Sequence, residues 1–385
     1  MTLQEKLKAI DKISDGINNK AGKIIMGRLG RSEEIKDKLK IEYIPTPSKN
    51  VNDAIGGGFP RKRMTIVSGL PDSGKTSLLL ECIAFNQRRS QDFIACWLES
   101  ESSLELDYLI NTFHIDPDRF LYIEHDREGA GEAALEKIES VLAASVCDMV
   151  VINSLKCLVP KEEVDASIAK STIALQARMN AKMARKFTSL VAESNAAFVV
   201  VTHLSTDIGN VMARDNKIIS GGEAIKYASA LTIDLRKRSI QDSDPITPAE
   251  GIKIGLTVKK NHCTPSVNPY LKTEYYAIFG QGIEQYLETL QNAINQGILT
   301  QNGAMIRDID TETGEIRQWN GEDLVWRGKN AYREYVINHP DYFAKLQDRV
   351  NGKITEMSDE EVAAAKAEEN KIIEDVSENM KEIVE

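Results

Sequence analysis

Arg63-Met64-Thr65-Ile66-Val67-Ser68-Gly69-Leu70-Pro71-Asp72-Ser73-Gly74-Lys75-Thr76 runs from an apolar strand through a glycine-framed turn into a helix. Gly69, Gly74, Lys75 and Thr76 stand in the spacing of a phosphate-cradling loop, and the loop lies where that motif needs it, after a strand and before a helix N-terminus. Glycines let backbone amides curl around a phosphate, a lysine ammonium neutralises its outer oxygens, and a threonine hydroxyl reaches Mg²⁺. Asp72, Ser73 and Ser77 complete the loop and the first helical turn. The stretch implies binding of a nucleoside triphosphate.

Outward from it, short apolar runs at 93–98, 149–152, 197–201 and 230–235 read as strands buried on both faces. Helical patterns at 76–90, 130–146 and 171–194 lie between them. This alternation predicts an α/β fold with a doubly wound, mostly parallel sheet. Ile252–Val258 and Glu274–Phe279 read as antiparallel additions. Ahead of the sheet, Leu3, Leu7, Ile10, Ile13 and Ile17 form one apolar helical stripe whose partner is either the chain's own core or a neighbouring subunit. Beyond Gly282 the sequence turns helical and polar with scattered aromatics, the texture of a small separate domain.

Composition narrows the class. The 385 residues include no apolar run long enough to span a membrane, and the N-terminus resembles no secretion signal, so a cytoplasmic protein is expected. The five cysteines form no metal-binding spacing and read as buried thiols. The net charge of −10 is uneven: residues 355–385 carry eleven acids and three lysines, a net of −8, whereas residues 1–40 carry ten basic residues against six acids. A basic start and a detachable acidic tail leave a near-neutral body, so nucleic-acid binding is not excluded. The tail reads either as a solubilising segment or as a competitor for basic surface.

Ligands of open α/β sheets lie beyond the carboxyl ends of the strands. The second strand ends at Glu99-Ser100-Glu101, where a carboxylate can polarise the water that attacks a γ-phosphate. The third ends at Asn153, where an aspartate is expected; an asparagine can hold a metal-bound water through its carbonyl but brings no charge, so weaker metal affinity or hydrolysis is expected. The fourth ends at Thr202-His203, a position from which a side chain can report a γ-phosphate to the long loop that follows, although a lone histidine is more often structural.

With these residues placed, the chain resembles the RecA family of recombination ATPases, in its bacterial and phage (UvsX-like) branch, from about Leu7 to Arg349. The resemblance rests on the phosphate loop together with Ala21–Gly30, Cys157–Lys161 followed by Ala177-Arg178-Met179, Gly221–Ser229, Lys260-Asn261 and Phe279–Gly282. It implies a RecA-like fold with an N-terminal helix and linker (1–40) for polymerisation, an ATPase core (41–283), a small C-terminal α/β domain (284–354) and an acidic tail (355–385). It implies ATP and Mg²⁺ as cofactors, with Lys75 and Glu101 catalytic and His203 the γ-phosphate sensor. Glu105 and Tyr108 fall on the adenine-contacting pair, Thr76 and Asn153 on the metal site, and Lys260 on a lysine that reaches a neighbour's nucleotide. Two DNA loops are implied at 161–178 and 204–222, with Arg178, Arg214, Lys217, Gly221 and Gly222 as contacts.

The expected activity is DNA strand exchange: an ATP-dependent helical filament on single-stranded DNA that pairs with homologous duplex, with single-strand-binding or mediator proteins as further partners. Lys329, Arg333 and nearby aromatics suggest a duplex-gathering role for the C-terminal domain, unless the aromatics are core. Two other readings stay open: a RecA-like paralogue without strand exchange, which Asn153 favours, and a hexameric helicase-type ATPase, against which the linker and the Gly-Gly signature speak.

Overall fold

The computed structural model describes residues 1–125, 130–166, 174–206, 217–241, 245–264, 271–310 and 313–352. The middles of both expected DNA loops, Arg214 among them, and the acidic tail lie outside the described residues. The chain forms two compact units, Met1–Ile283 and one that starts at Glu284.

The first unit is built on a ten-stranded sheet. Its strands are β1 (Arg63–Gly69), β2 (Ala95–Glu99), β3 (Phe120–Glu124), β4 (Met149–Asn153), β5 (Ala197–Thr206), β6 (Lys217–Ile219), β7 (Leu231–Arg238), β8 (Gly251–Asn261), β9 (Lys272–Ile278) and β10 (Gly282–Ile283). The order across the sheet is β10-β9-β8-β7-β1-β5-β4-β2-β3, with β6 paired to β5. From β7 to β3 all neighbours are parallel, whereas β6, β8, β9 and β10 join antiparallel. The strand carrying the phosphate loop is thus central, and the two late runs at 252–258 and 274–279 are the antiparallel additions expected.

Alternation along the strands explains why both sheet faces are apolar. Val67, Trp97, Val151 and Val199 enter one core, with α2 (Lys75–Arg89). Ile66, Leu98, Ile152 and Val200 enter the other, with α3 (Gly131–Ala144) and α4 (Leu175–Ser194). Successive strand side chains point to opposite faces, so burying both requires a continuous apolar run. β3 breaks that rule because it is the edge strand, and its Leu121 and Tyr122 are exposed. Cys82, Cys96, Cys147 and Cys263 are buried free thiols, while Cys157 is half-buried.

Ahead of the sheet, α1 (Leu3–Ala21) starts at a reciprocal cap: Glu5 N–H donates to Thr2 Oγ1 and Thr2 N–H to Glu5 Oε2. Arg28 of the linker folds back to grip Asp11 with two hydrogen bonds of 2.7 Å. The stripe of Leu3, Ile10, Ile13 and Ile17 stays exposed in this chain.

The second unit contains a three-stranded antiparallel sheet, β11 (Leu299–Asn302), β12 (Met305–Asp308) and β13 (Val325–Arg327), with helices at Gln285–Asn295, Lys329–Asn338 and Pro340–Val350. Trp326, Tyr332 and Tyr342 are buried in its core, so these aromatics are packing residues. Lys329 is exposed, whereas Arg333 Nε is 3.0 Å from Glu284. At its centre the fully buried Asp308 accepts from Tyr342 Oη at 2.9 Å and from both terminal nitrogens of Arg349 at 2.7 and 3.0 Å.

Candidate active site

Register brings the strand ends together. Gly69 on β1 lies opposite His203 on β5, and Glu99 on β2 lies opposite Asn153 on β4. The phosphate loop closes tightly because two of its residues have no side chain. A Cβ on Gly69 would lie 2.4 Å from Ser73 Oγ and 2.6 Å from the Leu235 carbonyl oxygen. One on Gly74, whose φ is +81°, would lie 2.6 Å from Ile254 Cδ1.

Lys75, in the first turn of α2, is buried and donates to the Leu70 carbonyl at 2.8 Å. Burial lowers its pKa, and Glu101, Asp72 and Asp234 oppose that shift. Thr76 and Ser77 follow it, half-buried, while Asp72 is exposed on the turn.

Glu101 and His203 meet: His203 Nε2 donates to Glu101 Oε1 at 2.7 Å. Burial pushes the Glu101 carboxyl up, but hydrogen bonds from Ser154 and His203 and the charge of Lys75 outweigh it and hold it below the usual carboxylate range. It is therefore an anion at neutral pH, with a second oxygen lone pair available to orient a water. Glu105 and Tyr108 are exposed on the turn beyond β2, and the Tyr108 ring, edge-on to Phe113 at 4.8 Å, offers a face for stacking.

Asn153 is fully buried at the end of β4, with its Nδ2 donating to Glu99 Oε2 at 3.0 Å. Its Oδ1 is buried with no hydrogen-bond partner. A buried acceptor without a partner at the end of β4, one strand removed from the strand that carries the phosphate loop, together with the Thr76 hydroxyl and a cradle closed by Gly69 and Gly74, is a donor set that fits ATP with Mg²⁺. Glu99 is the residue that sequence reasoning passed over. An acid was visible at that strand end, but its pairing depends on register.

Lys260 does not join this cluster. It pairs with Thr232, which lies beside Ile66, midway along β1 and three residues before Gly69. Its Nζ donates to the carbonyls of Lys226 and Tyr227 at 2.8 and 3.1 Å.

The DNA-loop residues occupy one region. Arg178 is exposed in the first turn of α4, and Gly221 and Gly222, with φ of +117° and +91°, lead into α5 (Glu223–Ala228). Lys217 begins β6, opposite Thr206 of β5. The Gly-Gly turn is tied to the nucleotide side, since Ser220 N–H donates to the His203 carbonyl at 3.0 Å and Thr202 Oγ1 to the Ser220 carbonyl at 2.9 Å. It is tied to the other loop by Asn180, a buried residue two positions after Arg178, whose Nδ2 donates to the Gly221 carbonyl at 3.0 Å. Nothing in the sequence marked Asn180 beyond its being polar within a largely apolar helix face.

A phosphate loop on the central strand of a mostly parallel sheet, faced by a carboxylate on the next-but-two strand, defines the class: a P-loop nucleoside triphosphatase. The family model for the RecA N-terminal domain matches residues 8–284. The RecA protein of Syntrophus aciditrophicus is 29% identical over 351 residues, covering 91% of this chain and 94% of that protein. The RecA proteins of Thermus aquaticus (29% over 367 residues, 95% and 99% covered) and Heliobacterium modesticaldum (31% over 365 residues, 94% and 97% covered) are similar along almost their whole length.

The chain belongs to the RecA family, DNA-dependent ATPases that carry out strand exchange, and this reading stands over the non-exchanging paralogue and the helicase. The family uses ATP and Mg²⁺ and forms homo-oligomeric filaments on DNA. These relatives are bacterial RecA proteins and do not single out the phage branch. Among the described residues no helix is long and apolar enough to cross a membrane.

Proposed function

We propose that this chain is a DNA strand-exchange recombinase in which the state of the nucleotide site is passed to the DNA loops through β5. The observation that carries this reading is one continuous hydrogen-bonded path: Glu101 to the His203 ring, the His203 and Thr202 backbone and side chain to Ser220, and Gly221 to Asn180 on the helix that follows the first loop. A displacement of the His203 ring moves the end of β5, and with it the Gly-Gly turn.

In this reading Gly69, Asp72, Ser73, Gly74, Lys75, Thr76 and Ser77 cradle the phosphates, Glu105 and Tyr108 flank the base, and Thr76 and Asn153 face the metal. Bound ATP with Mg²⁺ supplies the anhydride whose hydrolysis resets the switch. Glu101 orients the attacking water, and its depressed pKa keeps it ionised at neutral pH, able to accept a hydrogen bond from the water O–H. Lys260, remote from its own loop, acts on a neighbouring subunit's nucleotide. The exposed apolar stripe of α1 is the complementary polymerisation surface, which supports residues 1–40 as a subunit-joining segment.

Arg178, Lys217, Arg214, Gly221 and Gly222 contact DNA from the loops at 161–178 and 204–222. Residues 284–354 form a small domain and 355–385 an acidic tail. The protein works in the cytoplasm, alongside single-strand-binding or mediator proteins, and His203 supports the phage (UvsX-like) branch. The test is ATP hydrolysis with and without single-stranded DNA, measured beside strand exchange, for wild type and His203→Ala. The variant should keep nucleotide binding and lose DNA stimulation and exchange. Full DNA stimulation in His203→Ala sinks the β5 path.

A further inference from the structure

The strand end that should carry a carboxylate carries Asn153, and the carboxylate stands one strand away. Glu99 lies directly across from Asn153 in the parallel register of β2 and β4, and it is 2% exposed. Its two oxygens are shared out among donors. Oε2 accepts from Asn153 Nδ2 at 3.0 Å and from the Trp97 indole N–H at 2.9 Å. Oε1 accepts from Glu101 N–H at 2.9 Å and from Ser103 Oγ at 3.3 Å.

This arrangement fixes which way the Asn153 amide points. Turning it over would set its carbonyl oxygen against the Glu99 carboxylate and strand the amide hydrogens. Held as it is, the amide presents Oδ1 away from Glu99, and that oxygen is the buried acceptor left without a partner. A hydrogen-bonded carboxylate behind an amide also polarises it, so Oδ1 carries more negative charge than in a free asparagine. The same carboxylate holds the backbone of Glu101.

We propose that Glu99 is a positioning residue of the metal site: it supplies the negative charge that Asn153 lacks, orients Asn153 Oδ1 toward Mg²⁺, and fixes the backbone of Glu101. The proposal rests on the reading above that Thr76 and Asn153 face the metal. The pair then behaves as one acid and one amide whose positions can be exchanged, not as a site with a charge missing. Replacing Asn153 by aspartate alone places two buried carboxylates at hydrogen-bond distance, and removing the Glu99 charge alone leaves the Asn153 amide with no carboxylate behind it.

The experiment is a charge-exchange cycle in the full chain: Glu99→Gln, Asn153→Asp and the double variant, with Thr76→Ala as a reference. Two readouts are taken, thermal unfolding without nucleotide or metal, and the Mg²⁺ concentration that half-saturates binding of a fluorescent ATP analogue. Glu99→Gln should raise the half-saturating Mg²⁺ at least tenfold. Asn153→Asp should lower the unfolding temperature. The double variant should recover both quantities, with Mg²⁺ half-saturation within about threefold of wild type.

If either single variant does not fold, recovery in the double variant decides the matter. The proposal is overturned if Glu99→Gln lowers stability yet leaves the Mg²⁺ requirement unchanged, since Glu99 is then only a turn anchor. It is also overturned if Asn153→Asp alone is as stable as wild type and tightens Mg²⁺, or if the double variant recovers nothing. If Thr76→Ala leaves the Mg²⁺ requirement untouched as well, the assignment of the metal site itself fails, which is a separate result.

Discussion

Asn180 offers the most direct test of coupling between the two proposed DNA loops, because among the described residues its hydrogen bond to Gly221 links the helix after the first to the turn that closes the second, and its loss is calculable. In Asn180→Ala the Gly221 carbonyl loses a 3.0 Å hydrogen bond from a donor that is itself buried. Asn180 Oδ1 has no partner to forfeit, so the effect is confined to this carbonyl. A net hydrogen bond contributes about 1 kcal/mol, and leaving a partly buried acceptor unpaired costs about 1–3 kcal/mol. The ordered Gly-Gly turn should therefore lose about 1–2 kcal/mol. At about 1.4 kcal/mol per factor of ten, single-stranded DNA binding in the presence of nucleotide weakens roughly 5- to 30-fold. Nucleotide affinity should hold, since Lys75, Thr76 and Glu101 are untouched. The assay is fluorescence anisotropy of a labelled oligonucleotide beside titration of a fluorescent ATP analogue, with thermal unfolding to verify the fold. DNA affinity unchanged within twofold in a folded variant refutes the link. So does an equal loss of nucleotide binding.

Lys75→Ala removes a buried ammonium from the loop, and at about 1.5–3 kcal/mol per charged hydrogen bond the nucleotide should bind roughly 10- to 150-fold more weakly for each such bond lost, as isothermal titration would register. Glu81, on α2, has its carboxyl pushed up to about 7 by burial. The folded state then holds a proton between the ordinary carboxylate range and about 7 that the unfolded state releases, so stability falls as pH rises through that window. Glu81→Gln should flatten the slope and raise stability at pH 8 by on the order of 2 kcal/mol, read as denaturation midpoints across pH; an unaltered slope assigns the dependence elsewhere. In the C-terminal unit, Arg349→Met strips Asp308 of its bidentate partner, and the cost should be about 3 kcal/mol in urea unfolding, at the low end for a broken buried pair because Arg317 Nε lies 3.8 Å from Asp308.

How much of this was legible in the sequence follows from burial. Strands β1, β2, β4, β5 and β7 were readable because both faces are covered, which forces unbroken apolar runs such as Ala197–Val201. β3 was not, because Phe120–Glu124 lies at the sheet edge and mixes exposed with half-buried residues. The short strands of the second unit are too brief to show a period. Within the site, Lys75, Glu101 and His203 were marked by strand ends, a property of sequence order. Glu99 and Asn180 matter through contacts across register and between helix and loop, at sequence separations of 54 and 41, which no local pattern encodes. The aromatics of the C-terminal unit show the opposite error: spacing made them conspicuous, and packing explains the buried ones.

The central place of β1 also bears on how the protein is made. Its hydrogen-bonding partners on either side are β5, which begins at Ala197, and β7, which begins at Leu231. A chain emerging from the ribosome therefore contains the whole phosphate loop long before either flanking strand exists to hold it. Pairings over such separations form slowly and late. A nascent or truncated chain that stops short of β7 retains every letter of the motif and lacks the frame that bends it around a phosphate. Nucleotide arriving during synthesis thus finds a binding site only once nearly two-thirds of the polypeptide is in place, and from then on it favours the completed fold over any partial one.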